Sequence, residues 1–177
     1  IIAMQAALAG VEFTRPLYFT ANYAYGRTDE ARFDSELSQL NSEQFAIVTT
    51  DGAFDHYLAE TRFPIARRVE LPALADPATV IENIVTGKAD VSFLAAFTAD
   101  GYMANNPGKI KKLTPEPVAV FDTAMMIKAG DAEFSAMLDA ALRQLRGDGF
   151  IDNTLDKYGV DASATLRVAA PYKLPNK

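Results

Sequence analysis

Apolar positions along the chain fall into short runs, separated by Gly, Pro, Asp and Asn, and they follow two different periods. Residues 13–27 combine aromatic and β-branched side chains in loose alternation, which predicts one or two strands. Residues 29–40 read as a short helix or loop. Phe45-Ala46-Ile47-Val48-Thr49 is a continuous apolar run, the pattern of a strand buried on both faces of a parallel sheet. Thr50-Asp51-Gly52 then predicts a turn and 53–60 a short helix. The alternation continues with a strand at 67–71 and a helix at 77–86, where Asp76 caps and Pro77 fills the first turn. After a turn at Gly87-Lys88 come a strand at 91–95 and a helix at 97–105, ended by Asn106-Pro107-Gly108. A short strand is expected near 110–113, and 118–127 reads as one long strand interrupted by the polar pair Asp122-Thr123. Phe134, Met137, Leu138, Ala141, Leu142 and Leu145 recur at helical spacing, so 131–146 is a helix, and a last one is expected over 150–158.

Strands alternating with helices imply βαβ units and right-handed crossovers. The expected fold is therefore α/β: a doubly wound, mostly parallel five-stranded sheet with helices on both faces. The compact part is 45–113. The segments 13–27 and 118–127 flank it, as two strands that leave one lobe and return to it would.

Composition removes several functions. There are 17 Lys plus Arg against 23 Asp plus Glu, a net charge of −6, and no basic stripe. Nucleic-acid binding is not expected of such a chain, because phosphate contacts dominate that affinity. Cysteine is absent and His56 is the single histidine, so thiol catalysis, disulfides and multi-histidine metal sites have no material. No metal and no cofactor are expected. No apolar run approaches the 20 or so residues of a spanning helix.

Five segments in order resemble the amino-acid-type (family 3) extracellular solute-binding proteins of bacterial ABC importers. Val11-Glu12-Phe13-Thr14-Arg15-Pro16-Leu17-Tyr18-Phe19 is similar to the family's V-D-F-S-x-P-Y-Y segment. Phe45 to Ala53 resembles the strand and glycine-threonine turn that open the second lobe. Ile84-Val85-Thr86-Gly87-Lys88-Ala89-Asp90-Val91 resembles the L-x-x-G-x-x-D-A turn. Met126 to Asp131 is similar to a second hinge strand ending in R-K-G-D. Leu142 to Ile151, followed by Lys157-Tyr158-Gly159, resembles the C-terminal L-x-x-L-x-x-D-G signature. The resemblance implies the type-2 periplasmic-binding-protein fold, with most of the first lobe missing from the residues given. It divides the chain into a first-lobe remnant and hinge strand (1–27), a second lobe (28–117), a second hinge strand (118–130), C-terminal helices (131–160) and an extension (161–177), in which 164–172 looks like a strand.

The turn from Thr49 to Ala53 offers backbone N–H groups and a helix dipole to an anion. The family's Gly-Thr-Thr falls on Asp51-Gly52-Ala53, so the ligand-gripping hydroxyl is lost unless Thr49 or Thr50 replaces it. The alternative is an ordinary turn with Asp51 as helix cap. Strand 91–95 ends at Ala95, where many family members place an aspartate facing the ligand's α-ammonium group. A desolvated amine needs an acceptor, and Ala95 supplies none, which argues against an ordinary α-amino acid. Phe97 either lays its ring against the ligand or simply packs. Asp122 stands as the candidate for a cationic group, and Tyr18 as an aromatic contact on the first hinge strand. Arg15, Arg27, Arg67 and Arg68 read as surface charges, as does His56.

The resemblance implies a non-enzymatic protein of the periplasm or another extracytoplasmic space. It would capture a small, polar, carboxylate-bearing solute by cleft closure and pass it to a membrane ABC permease. An uncovered lobe face would also self-associate. Two alternatives are an envelope sensory or interaction module on the same lobe and a cyclohexadienyl-dehydratase-like enzyme using Asp122 or His56 as general acid.

Overall fold

The structure is a computed structural model that describes residues 10–33 and 36–168. The start of the expected first-lobe remnant, residues 1–9, and the end of the expected C-terminal strand lie outside the described residues. The chain forms two compact units, one of residues 22–119 and one of residues 1–21 with 120–177.

The 22–119 unit is a mixed sheet with helices on both faces, the fold class expected from the alternation of periods. Its elements are β2 (Tyr18–Arg27, of which 22–27 belong here), a 3-10 helix (Leu37–Leu40), β3 (Ala46–Thr50), α1 (Phe54–Arg62), β4 (Arg67–Leu71), α2 (Pro77–Val85), β5 (Val91–Ala95), α3 (Ala96–Asn105) and β6 (Ile110–Lys112). The strand order is β4-β3-β5-β2-β6. β3 runs parallel to β4 and to β5, whereas β2 enters antiparallel between β5 and β6. That insertion adds a fifth strand the local patterns place only as a flank. It brings Gly26 against its neighbours: a Cβ there would lie 3.1 Å from Leu113 and 3.2 Å from the Asp90 carbonyl. On one face Ile47, Val91 and Phe93 pack with Leu58, Ala59 and Phe63, and the Phe63 ring stacks on Phe93 at 5.5 Å. α2 packs against β3 and β5 and buries Val80, Ile81 and Ile84. Its Asp76 carboxylate accepts the Ala78 N–H at 2.7 Å, the cap expected from the sequence.

The other unit contains β1 (Val11–Phe13), β7 (Ala119–Thr123, from 120), β8 (Met126–Lys128), α4 (Ala132–Gly147), α5 (Phe150–Lys157) and β9 (Thr165–Arg167). The strand expected over 118–127 is two strands. β7 pairs with β2, and β8 pairs antiparallel with β1. The break at Ala124-Met125 is where the partner changes: Thr14 N–H donates to the Met125 carbonyl (3.0 Å), and Met125 N–H donates to Thr14 Oγ1 (3.1 Å). β1 and β2 part at Pro16, which has no N–H for a ladder. Asp131 caps α4 by accepting the Phe134 N–H at 3.0 Å. β9 pairs antiparallel with residues 18–20 of β2.

Arg27 departs from the surface role expected of it. Its guanidinium donates to the carbonyls of Ile84 (3.2 Å) and Ala89 (3.3 Å) and lies 3.7 Å from Asp90. Arg32 completes the cluster, forking onto the buried Glu30 carboxylate and reaching Asp90 Oδ1 at 2.9 Å. The Arg32 hydrogen bonds outweigh the cost of burial and pull the Glu30 carboxyl from 4.5 down to about 2. A carboxyl lowered in the folded state adds stability above its unfolded value and loses it as pH falls through the folded one. We expect Glu30→Gln to destabilise the fold by about 1–3 kcal/mol at neutral pH. In denaturant titrations the gap between wild type and variant closes as pH drops from 4.5 towards 2.

Candidate functional site

Three parallel strands, β4, β3 and β5, end on one edge of the 22–119 sheet. Open sheets bind ligands beyond the carboxyl ends of their parallel strands. At this edge β3 delivers the turn Thr50 to Ala53 and then α1, and β5 runs straight from Ala95 into α3. Ala95 is also paired with Asn22 of β2, a buried amide that the sequence reading passed over. The edge therefore gathers Thr49, Thr50, Gly52, Ala53, Ala95 and Phe97. Asp122 and Tyr18 belong to the other unit, both half-buried, on β7 and β2.

The turn's backbone donors are largely spent inside the protein. Asp51 N–H donates to the Leu71 carbonyl at 2.9 Å, and Ala53 N–H to the Thr50 carbonyl at 3.0 Å. Thr50 N–H donates to Asp55 Oδ2 at 2.9 Å, and His56 N–H to Asp55 Oδ1 at 3.0 Å. The Thr50 side chain also hydrogen-bonds Asp55. Thr49 is 0% exposed and its Oγ1 has no partner among the described residues. Neither hydroxyl that stood in for the family's threonine is thus presented to solvent unengaged.

The expected cap is also different. Ala53, not Asp51, is the N-cap of α1, and it contributes no side-chain bond. Asp55, the second residue of the helix, reaches back and closes the turn instead. Gly52 adopts φ 69°, which lets the chain reverse between strand and helix. Asp55 is only 6% exposed. Burial pushes its carboxyl up from 3.8, and the bonds from His56 and Thr50 only partly oppose that rise. An acidic residue in a helix's first turn is a weak sequence signal, and it was not enough to pick out Asp55.

At β5 the N-cap of α3 is Ala95, again without a side-chain bond. Phe97 follows with 55% of its surface exposed, so its ring is presented at the edge rather than packed away. His56 Nε2 lies 3.4 Å from Glu60 on the next turn of α1. No group of three or more His, Asp or Glu side chains among the described residues could hold a metal ion, and no helix there is long and apolar enough to cross a membrane.

No protein family's sequence profile matches the chain, and no curated protein matches it. Solved structures do. A binding component of an ABC transporter from Wolinella succinogenes, solved with lysine, is similar at 21% identity and a TM-score of 0.78, over 91% of this chain and 68% of that one. An ancestral amino-acid-binding protein, described as a precursor of cyclohexadienyl dehydratase, is similar at 18% identity and a TM-score of 0.72, over 89% and 65%. The second VFT domain of BvgS from Bordetella pertussis is similar at 18% identity and a TM-score of 0.67, over 85% and 64%. The chain spans about two thirds of the length of these structures. The likeness shows the fold, that of a type-2 periplasmic-binding-protein lobe.

Asp55 sets a pH dependence opposite in sign to that of Glu30. A carboxyl raised in the folded state contributes stability below its unfolded value and loses it as pH rises through the folded one. Measured against Asp55→Asn in denaturant titrations, wild type is expected to lose relative stability as pH rises above 3.8. A relative gain over that range would contradict the burial-dominated environment.

Proposed function

We propose that this chain captures a small polar solute outside the cytoplasm and presents it to a membrane ABC permease. The observation that carries the reading is the common sheet edge: β3 and β5 run parallel and deliver the turns into α1 and α3 side by side, on a scaffold shared with amino-acid-binding proteins. Solute contact would come from Gly52, Ala53, Ala95 and Phe97, with Thr49 and Thr50 shaping the turn from behind. Asp122 and Tyr18, on β7 and β2, are proposed as solute contacts of the other unit. Binding here is noncovalent. The dehydratase reading would need Asp122 or His56 as general acid, and His56 is placed beside Glu60 on its own helix. The BvgS likeness keeps a sensory role as the second reading, since the same capture step can report to a signalling protein.

Native mass spectrometry of the purified protein, beside its denatured mass, tests the reading. A small adduct that is lost on activation is expected. Its absence, from native protein and after exposure to a panel of polar metabolites, would reject solute capture.

A second copy of the chain is a further proposed partner. Phe134 and Met137, one turn apart on α4, are 43% and 58% exposed. We expect sedimentation at rising concentration to show self-association, and Phe134→Lys with Met137→Glu to abolish it. A wild-type monomer at all concentrations would exclude this contact.

A further inference from the structure

The start of a helix that follows a parallel strand is a natural seat for an anion, because its N–H groups and dipole converge there. In this chain the seat at the start of α1 holds a group already. Asp55 Oδ2 takes the Thr50 N–H at 2.9 Å and Oδ1 takes the His56 N–H at 3.0 Å, so one carboxyl spans the turn and the first turn of the helix. The Thr50 side chain bonds the same carboxyl. With Asp51 N–H and Ala53 N–H directed at Leu71 and Thr50 carbonyls, four backbone donors of the segment 50–56 are committed. Asp55 is 6% exposed, so an incoming anion cannot share its position. Outside it stands Asp51, whose exposed carboxylate repels negative charge.

We propose that Asp55 determines specificity by filling the anion seat of the β3–α1 turn, so that the solute meets this turn with an uncharged polar or cationic group and not with a carboxylate. This deepens the solute-capture reading and, for the class of solute, rests on it. The occupancy of the seat is a property of the chain by itself. It is a matter of position, since the buried side chain fills the seat whether Asp55 is protonated or ionised.

The experiment is a rescue by formate, which supplies the carboxylate group that Asp55→Ala removes. Amide resonances of Thr50 and His56 are followed during formate titration at constant ionic strength, in wild type, Asp55→Ala and Asp55→Asn. The expected result is a saturable shift of both resonances in Asp55→Ala. Wild type should show none, and neither should Asp55→Asn, whose side chain still fills the seat. Thermal unfolding should rise with formate in Asp55→Ala alone, as binding to the folded state requires. If Asp55→Ala folds poorly, formate added during refolding should restore it in proportion to concentration.

Saturable shifts in wild type would overturn the proposal, because the seat would then be open. A folded Asp55→Ala that ignores formate would also overturn it, as would a refolding defect that formate leaves unchanged. A native adduct identified as a carboxylate that moves the Thr50 and His56 resonances of wild type would do the same. No adduct at all would reject solute capture, and the formate data would still decide the occupancy of the seat.

Discussion

The register between β3 and β5 is set at their first residues, and the rest of the 22–119 unit depends on it. Asp90 N–H donates to the Ala46 carbonyl at 2.8 Å, and Ala46 N–H donates back to Asp90 Oδ2 at 2.9 Å. The other oxygen of Asp90 is held by Arg32 at 2.9 Å, which places a charged clamp where the two strands begin. A slip of one residue would turn every side chain of a strand to the opposite face. With Ile47 paired to Val91, Ile47 and Phe93 meet α1 in the core while Thr50 and Ala95 finish at the same edge. The candidate site is therefore positioned by a charge cluster at the far end of its own strands.

What could be read in the sequence was what depends on near neighbours. The run 45–49, the alternation that follows and the Asp76-Pro77 start of α2 each carry their signal within a few residues, and the corresponding elements form close to their expected bounds. The antiparallel insertion of β2 between β5 and β6 has no such signal, because it is decided by partners 65 to 87 positions away. The split of 118–127 into β7 and β8 is likewise a change of partner. Arg27 reads as a surface charge until the fold brings Asp90 beside it. At the site, Ala95 was legible as a position lacking an acceptor. Asp55 was not, since its importance lies in an oxygen that reaches back five residues to the Thr50 N–H.

Scaffold and chemistry come apart in this molecule. Parallel strands ending beside helix starts are shared with structures of 18–21% identity, and the carboxyl ends of such strands are where open sheets bind ligands. The side chains at the edge then decide which ones. Ala53 and Ala95, the N-caps of α1 and α3, each lack a polar side chain. In the β3–α1 turn Asp55 takes the Thr50 and His56 N–H groups, and those of Asp51 and Ala53 go to carbonyls. The exposed ring of Phe97 adds apolar surface in their place. Under the proposed solute capture, such an edge with an exposed aromatic ring would select by shape and by the groups the solute itself brings.

Glu30 and Asp55 show why the second of these carboxyls invites a functional explanation. Both are buried, at 5% and 6% exposure. Glu30 faces a guanidinium, and its carboxyl falls to about 2, so its ionised form stabilises the fold. Asp55 has amides and a hydroxyl but no cation within its shell of named partners, and burial prevails over them. A buried acid without a counter-ion costs stability at neutral pH. An asparagine could accept only one of the two N–H groups that Asp55 takes, because its amide nitrogen is a donor. The acid is therefore the group that closes the turn: its two oxygens take both N–H groups, and the cost of burying it is the counterpart of leaving no room there for a second carboxylate.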